Sequence, residues 1–107
     1  MEQADHKKLE VKFHQAMLGI YEAALKEAKY PATRFRQMVL ERGGLATAFY
    51  LLDSKPEAVS EGFVELALRK RLDLTVESLV QEDQWRPLFS ETQLKTAKHR
   101  LREYPSK

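Results

Sequence analysis

The sequence predicts an all-α fold, a compact orthogonal bundle of about five to six short helices with a longer N-terminal helix. Apolar residues recur at steps of three and four along most of the chain, as on the buried face of a helix. No segment alternates apolar and polar residues, and no Asn-Gly or Asp-Gly hairpin turn occurs. The length of 107 residues fits one domain. We therefore expect a single helical domain over residues 1–107, with an N-terminal helix in residues 1–29 and a helical module in residues 30–104.

The N-terminal helix is predicted to run from about Asp5, as its N-cap, to Lys29. Gly19 in its middle is expected to let another helix approach closely. The helix ends before Pro31 because a residue that precedes proline is disfavoured in the α region. Its inward stripe is predicted to consist of Leu9, Phe13, Met17, Ile20, Ala24 and Ala28.

Prolines and glycines predict the limits of the middle helices. Pro31 and Pro56 are expected in the first turns of two helices, where the missing N–H is tolerated. Gly43-Gly44 is expected to end the second helix, since glycine adopts a left-handed cap without a Cβ penalty. The segment 45–52 is apolar on nearly every side, which predicts a short helix in the core.

Two later helix starts carry complete capping signals. Thr75 is predicted as an N-cap, with Leu74 and Leu79 as a hydrophobic staple around it. Ser90 is predicted as the next N-cap, with Gln93 closing a capping box. These signals place the starts of the last two helices.

Composition and motifs argue against an enzyme. The chain has no cysteine, which excludes disulfides and thiolate metal sites and fits a reducing cytoplasm. The three histidines, His6, His14 and His99, have no metal-ligand spacing, and no glycine-rich phosphate loop precedes a lysine. We expect no catalytic, cofactor or metal residues, whereas a deep pocket lined with ionisable groups would favour a small enzyme or ligand carrier. No apolar run is long enough for a membrane span.

The charge distribution suggests one candidate surface. The net charge is only +2, but residues 91–107 carry five basic and two acidic groups, a net +3. The alternative is a solvated helix face with cations near the negative end of the helix dipole. Residues 69–71 span most of a helical turn, so we expect Arg69 or Arg71 to pair with Asp73 or with a helix C-terminus. The candidate phosphate or acidic-partner surface consists of Arg69, Lys70, Arg71, Lys95, Lys98 and Arg102.

A second candidate surface is apolar. Leu18, Tyr21 and Leu25 widen the stripe of the N-terminal helix beyond what a small core is expected to cover. Trp85 and Arg86 are residue types enriched at binding hot spots. For Trp85, which Pro87, Leu88 and Phe89 follow closely, the favoured interpretation is that it pins a connecting loop to the core.

Several stretches, taken together, resemble a poorly characterised bacterial helical module. That module occurs alone or as a C-terminal appendage of other domains, including HNH-nuclease and restriction-like proteins. The resemblance covers residues 30–104, implies an accessory role near nucleic-acid enzymes or defence systems, and transfers no catalytic residue. The stretches are Tyr30-Pro31-Ala32-Thr33-Arg34-Phe35, Gly43-Gly44-Leu45-Ala46-Thr47-Ala48 with Leu51-Leu52, Ser60-Glu61-Gly62-Phe63, Arg71-Leu72-Asp73-Leu74-Thr75-Val76-Glu77-Ser78-Leu79-Val80 and Trp85-Arg86-Pro87-Leu88-Phe89.

The leading hypothesis is a non-enzymatic interaction or accessory domain that binds a protein partner or a second copy of itself. The alternative is a nucleic-acid-binding accessory module of a bacterial DNA-processing or defence system.

Overall fold

A computed structural model describes residues 2–104, with side chains from Asp5 onward. Within residues 2–104 the structure contains helices and no strand, so the predicted all-α class with a longer N-terminal helix is confirmed. Residue 1 and residues 105–107, the two ends of the predicted domain, lie outside the described part. The helices are α1 (Glu2–Ala28), α2 (Thr33–Arg42), α3 (Gly44–Leu52), α4 (Glu61–Leu68), α5 (Val76–Leu79) and α6 (Glu91–Glu103), with 3-10 helices at Leu72–Leu74 and Asp83–Leu88.

The core forms where α1 crosses the later helices. Phe13 and Met17 of α1 are fully buried in it, as the stripe predicts. The ring of Phe13 packs edge-on against Trp85 and Phe89, at centroid distances of 5.3 and 5.2 Å. Each large apolar side chain buried in this way contributes roughly 1.5–3 kcal/mol to stability. The N-terminal helix and the residues after it therefore share one core.

The start of α1 differs from the prediction, whereas its end, before Pro31, is as predicted. The helix begins at Glu2, so Asp5 lies inside it and is not its N-cap. The chain leaves the helix at Lys29, whose φ of 57° is left-handed, and Tyr30 N–H donates to the carbonyl of Ala24 at 3.0 Å. This left-handed residue forms the C-terminal cap of the helix, two residues before Pro31.

Neither predicted proline start is correct. Pro31 precedes the N-cap residue Ala32 and lies outside α2. Pro56 lies in a turn, and α4 begins only at Glu61. The physical reason for the later start is Ser60, whose Oγ accepts a hydrogen bond from Phe63 N–H at 3.1 Å and caps α4.

The double glycine ends α2 as predicted, and it also starts α3. Gly43 has a φ of 94°, a conformation that side-chain-bearing residues rarely adopt. Gly44 is buried against α1, and a Cβ there would lie 2.7 Å from the Cα of His14. A Cβ at Gly19 would meet nothing within 4 Å. The close approach expected at Gly19 is therefore found at Gly44 instead.

Both predicted N-caps and the capping box are confirmed, whereas Leu74 and Leu79 of the predicted staple belong to different core clusters. Thr75 Oγ1 accepts from Ser78 N–H at 3.1 Å. Ser90 and Gln93 form both hydrogen bonds of the predicted capping box. The structure adds a Schellman motif at the end of α4, in which Lys70 is left-handed with a φ of 61° and Arg71 N–H donates to Leu66 O at 2.8 Å.

Candidate functional site

A cleft of about 970 Å³ opens between α1 and α2 on one side and α4 with the segment 53–60 on the other. This volume is at the upper end of the usual range for ligand pockets. Its lining is mainly apolar and includes Ile20, Ala24, Met38, Phe63, Leu66 and Leu74. Sequence reasoning did not predict this cleft.

Arg100 of α6 holds one wall of the cleft in place. It is 1 % exposed, and its guanidinium donates to the carbonyl oxygens of Leu51, Lys55 and Pro56 at 2.9–3.0 Å. It also donates to Ser54 Oγ at 2.9 Å. The segment 53–60 contains no helix or strand. These hydrogen bonds from Arg100 therefore stabilise its backbone conformation. Arg100 is one of the five basic residues in residues 91–107, but its side chain lies in the protein interior.

The carboxylate opposite Arg100 belongs to Glu77, which lines the cleft and is 3 % exposed. Arg100 Nη1 donates to Glu77 Oε2 at 2.9 Å. Burial raises the pKa of Glu77, and the hydrogen bond from Arg100 opposes that rise. A charged group of each sign is thus kept in the protein interior beside the cleft.

An acidic corner, formed by Tyr30, Glu61 and Glu65, lies at another part of the cleft. Burial raises the pKa of Tyr30, as do the nearby carboxylates of Glu61 and Glu65. Arg69 counters this effect: it pairs with Glu65, lies 5.0 Å from the centroid of the Tyr30 ring and donates to Ala28 O. Glu61 makes no ion pair with any residue that the structure describes.

The two serine hydroxyl groups in the lining already form hydrogen bonds within the fold. Ser60 Oγ caps α4, and Ser54 Oγ donates to Leu51 O while accepting from Arg100. No histidine lies among the lining residues. Within the part of the chain that the structure describes, no group of three His, Asp or Glu residues is arranged to hold a metal ion.

Two cations of the candidate phosphate surface, Arg69 and Arg71, already pair with carboxylates. Arg71 pairs with Asp73 at 3.0 Å and with Glu27 at 2.7 Å, and Arg71 lowers the pKa of Asp73. Together with the bond from Arg69 to Ala28 O near the end of α1, this confirms the expected pairing of these arginines.

The other four members of this surface are exposed. Lys70 follows the end of α4, whereas the remaining three lie along α6. Lys95 pairs with Glu91 at 3.3 Å, while Lys98 and Arg102 make no ion pair with the described residues. Three of the six predicted cations, Lys70, Lys98 and Arg102, thus make no ion pair with the described residues.

The apolar candidate surface is mostly covered. Trp85 is 4 % exposed and donates from Nε1 to Glu82 at 3.2 Å, so the favoured interpretation, that it pins a loop to the core, is confirmed, and it does not belong to an exposed interface. Arg86 is exposed and pairs with Asp83. Leu18 is half-buried against the core, and Leu25 is 38 % exposed. Tyr21 is half-buried and lines the cleft.

Two features of the sequence point to the buried charges in the wall of the cleft. Arg100 lies three residues after Ala97 and six after Leu94, on the inward stripe of α6, where a cation needs a buried partner. Glu77 directly follows the apolar Val76 and precedes Leu79 and Val80 by two and three positions. Their meeting depends on the fold, because 23 residues separate them along the chain.

Comparisons of the chain with models of known protein families, with curated proteins and with solved structures found no match. Among the described helices, none is long and apolar enough to cross a membrane.

Proposed function

We propose that this chain is a non-enzymatic interaction domain that binds an apolar, cation-bearing segment of a partner protein in its cleft. The observation that carries the proposal is the cleft itself, about 970 Å³ in volume, mainly apolar and bordered by carboxylates. An apolar concave surface of this size gains free energy when it is covered, because apolar area is removed from water.

Charge complementarity supports a cationic segment as the occupant. Asp53, Glu61, Glu65 and Glu77 line the cleft, and among the described lining residues the one cation is Arg34. Arg69 and Arg100 each balance one of these carboxylates, whereas Asp53 and Glu61 form no ion pair with the described residues. A cleft with a surplus of carboxylates attracts cations and disfavours anions such as phosphate groups.

The chemistry of the lining supports binding rather than catalysis, since its serine hydroxyls are engaged in the fold and no histidine is present to act as a base. The resemblance to the bacterial helical module supports a cytoplasmic partner within a DNA-processing or defence assembly. The nucleic-acid alternative stays a prediction that rests on Lys98, Arg102 and their neighbours.

Peptide display tests the proposal: peptides that bind the full chain are selected from a random library. We expect the enriched peptides to combine a large apolar residue with a nearby Lys or Arg. Thr33→Trp and Ala58→Trp place a bulky ring at exposed positions of the lining and are expected to abolish the binding of these peptides. Ala46→Trp is the matched control, because Ala46 is exposed on α3 and does not line the cleft.

Peptide binding that survives both cleft-filling substitutions would show that the peptides bind elsewhere and would overturn the proposal. Enrichment of acidic or purely polar peptides would also contradict it. Circular dichroism spectra of the three variants establish that each remains folded.

A further inference from the structure

Glu77 differs from the other carboxylates of the cleft because it is buried in the wall and not exposed at the rim. It is 3 % exposed, yet it lines the cleft, whereas its partner Arg100 does not. Burying a carboxylate away from water costs free energy. A donor group that reaches its unused acceptor sites offsets part of this cost with a hydrogen bond.

The hydrogen bonds of Glu77 leave acceptor capacity free. An ionised carboxylate offers about four acceptor sites on its two oxygens. Arg100 donates to one of the two oxygens, Oε2, at 2.9 Å. The guanidinium of Arg100 makes its other hydrogen bonds to oxygens of residues 51–56. Acceptor sites of the Glu77 carboxylate therefore remain beyond the bond from Arg100, and Glu77 is a lining residue of the cleft.

We infer that Glu77 selects, at the inner wall of the cleft, an apolar ligand group that ends in a protonated amine, such as a lysine side chain of the partner segment. This inference rests on the proposed function, since it identifies the residue that binds the cation of the partner segment in the same cleft. The apolar methylene chain would contact the lining, for example Leu66 and Val76, while the terminal amine donates to Glu77.

Three small probes that share one apolar body test the inference on the full chain. Phenylbutylamine ends in a cation, phenylbutanol in a neutral hydroxyl and phenylbutyrate in an anion. Titrations of isotope-labelled protein, followed by NMR at neutral pH, give the three dissociation constants. We expect the amine to bind about tenfold more tightly than the alcohol, as a hydrogen bond to a charged group allows, and the carboxylate to bind most weakly.

Glu77→Gln keeps an oxygen for Arg100 but removes the charge, and it is expected to reduce the preference for the amine over the alcohol to less than about twofold. Glu61→Gln, at the rim, is the matched control and should retain most of the preference. The unmodified protein provides an independent measurement in case Glu77→Gln does not fold. In it, nuclear Overhauser contacts are expected between the methylene beside the amine and the side chain of Glu77.

The outcomes separate the two proposals. If none of the probes shifts signals of the cleft residues, the cleft is not a binding site and both proposals fail. If the amine and the alcohol bind equally well in the cleft, or if the amine end contacts Glu61 or Asp53 rather than Glu77, only the role of Glu77 is overturned.

Discussion

The backbone N–H of Gly44 donates a hydrogen bond of 2.9 Å to Nδ1 of His14, which joins α3 to α1 where the two helices touch. Because a Cβ at Gly44 would lie 2.7 Å from the Cα of His14, Gly44→Ala forces the helices apart. We expect a loss of about 1–3 kcal/mol in the free energy of unfolding, as for an overpacked core. Urea denaturation of the variant and the unmodified protein measures it.

Gly19→Ala is the matched control for this close approach. A Cβ at Gly19 meets nothing within 4 Å, so the substitution is expected to increase stability by about 0.5–1 kcal/mol through helix propensity. Equal effects of the two substitutions would contradict the contact between α1 and α3.

Removing the carboxylate of Glu77 is expected to destabilise the protein severely. Glu77→Ala leaves Arg100 buried without its counter-ion, and breaking a buried pair in this way costs about 3–5 kcal/mol. Arg102→Ala, on the exposed side of α6, is expected to change stability by less than about 0.5 kcal/mol. Both values come from denaturant unfolding, and a mild effect of Glu77→Ala would show that the pair is not buried as described.

Trp85 is the only tryptophan of the chain, so its fluorescence reports on one site. Since it is 4 % exposed, we expect blue-shifted emission that acrylamide quenches poorly until the protein unfolds. Trp85→Ala should lower the free energy of unfolding by about 3–5 kcal/mol, as for other buried aromatic residues. The adjacent Arg86→Ala should leave the melting temperature almost unchanged, and emission typical of exposed tryptophan in the native protein would rule out this packing.

The phenol of Tyr30 is expected to ionise above its usual pKa of 10.0, because burial and the carboxylates of Glu61 and Glu65 disfavour the phenolate. The folded state then prefers the neutral phenol, so the stability from this group is present below pH 10 and is lost as the pH rises towards the folded-state pKa. The ultraviolet difference between the unmodified protein and Tyr30→Phe during an alkaline titration gives this pKa. Glu61→Gln should lower it, whereas Glu91→Gln should not.

Duplex DNA is expected to bind weakly, if at all, at physiological salt. Binding of this kind strengthens with the number of phosphates that the protein neutralises, and Arg69, Arg71 and Lys95 already pair with carboxylates. Gel-shift titrations across salt concentrations check this expectation. Tight, salt-sensitive binding that Lys98→Glu with Arg102→Glu abolishes would instead support the nucleic-acid alternative.

Local capping chemistry accounts for what sequence reasoning predicted well. Thr75 and Ser90 cap their helices with hydrogen bonds to residues three positions later, so the pattern is complete within one turn. The prolines misled the prediction because a proline permits a helix start without supplying an acceptor for the first N–H groups. Ser60 supplies that acceptor for α4.

The sequence by itself determined the helical class, the double-glycine boundary and the capped starts, because each depends on residues within one or two turns of each other. Only the tertiary structure decided that Trp85 is buried and that the cleft exists. It also decided that a neighbouring helix packs closely against Gly44 and not against Gly19. It also decided the pairing of Glu77 with Arg100, since these charges come from separate helices. A cation on the inward stripe of a helix must find its partner across the core, and that partner is defined by the packing of the whole chain.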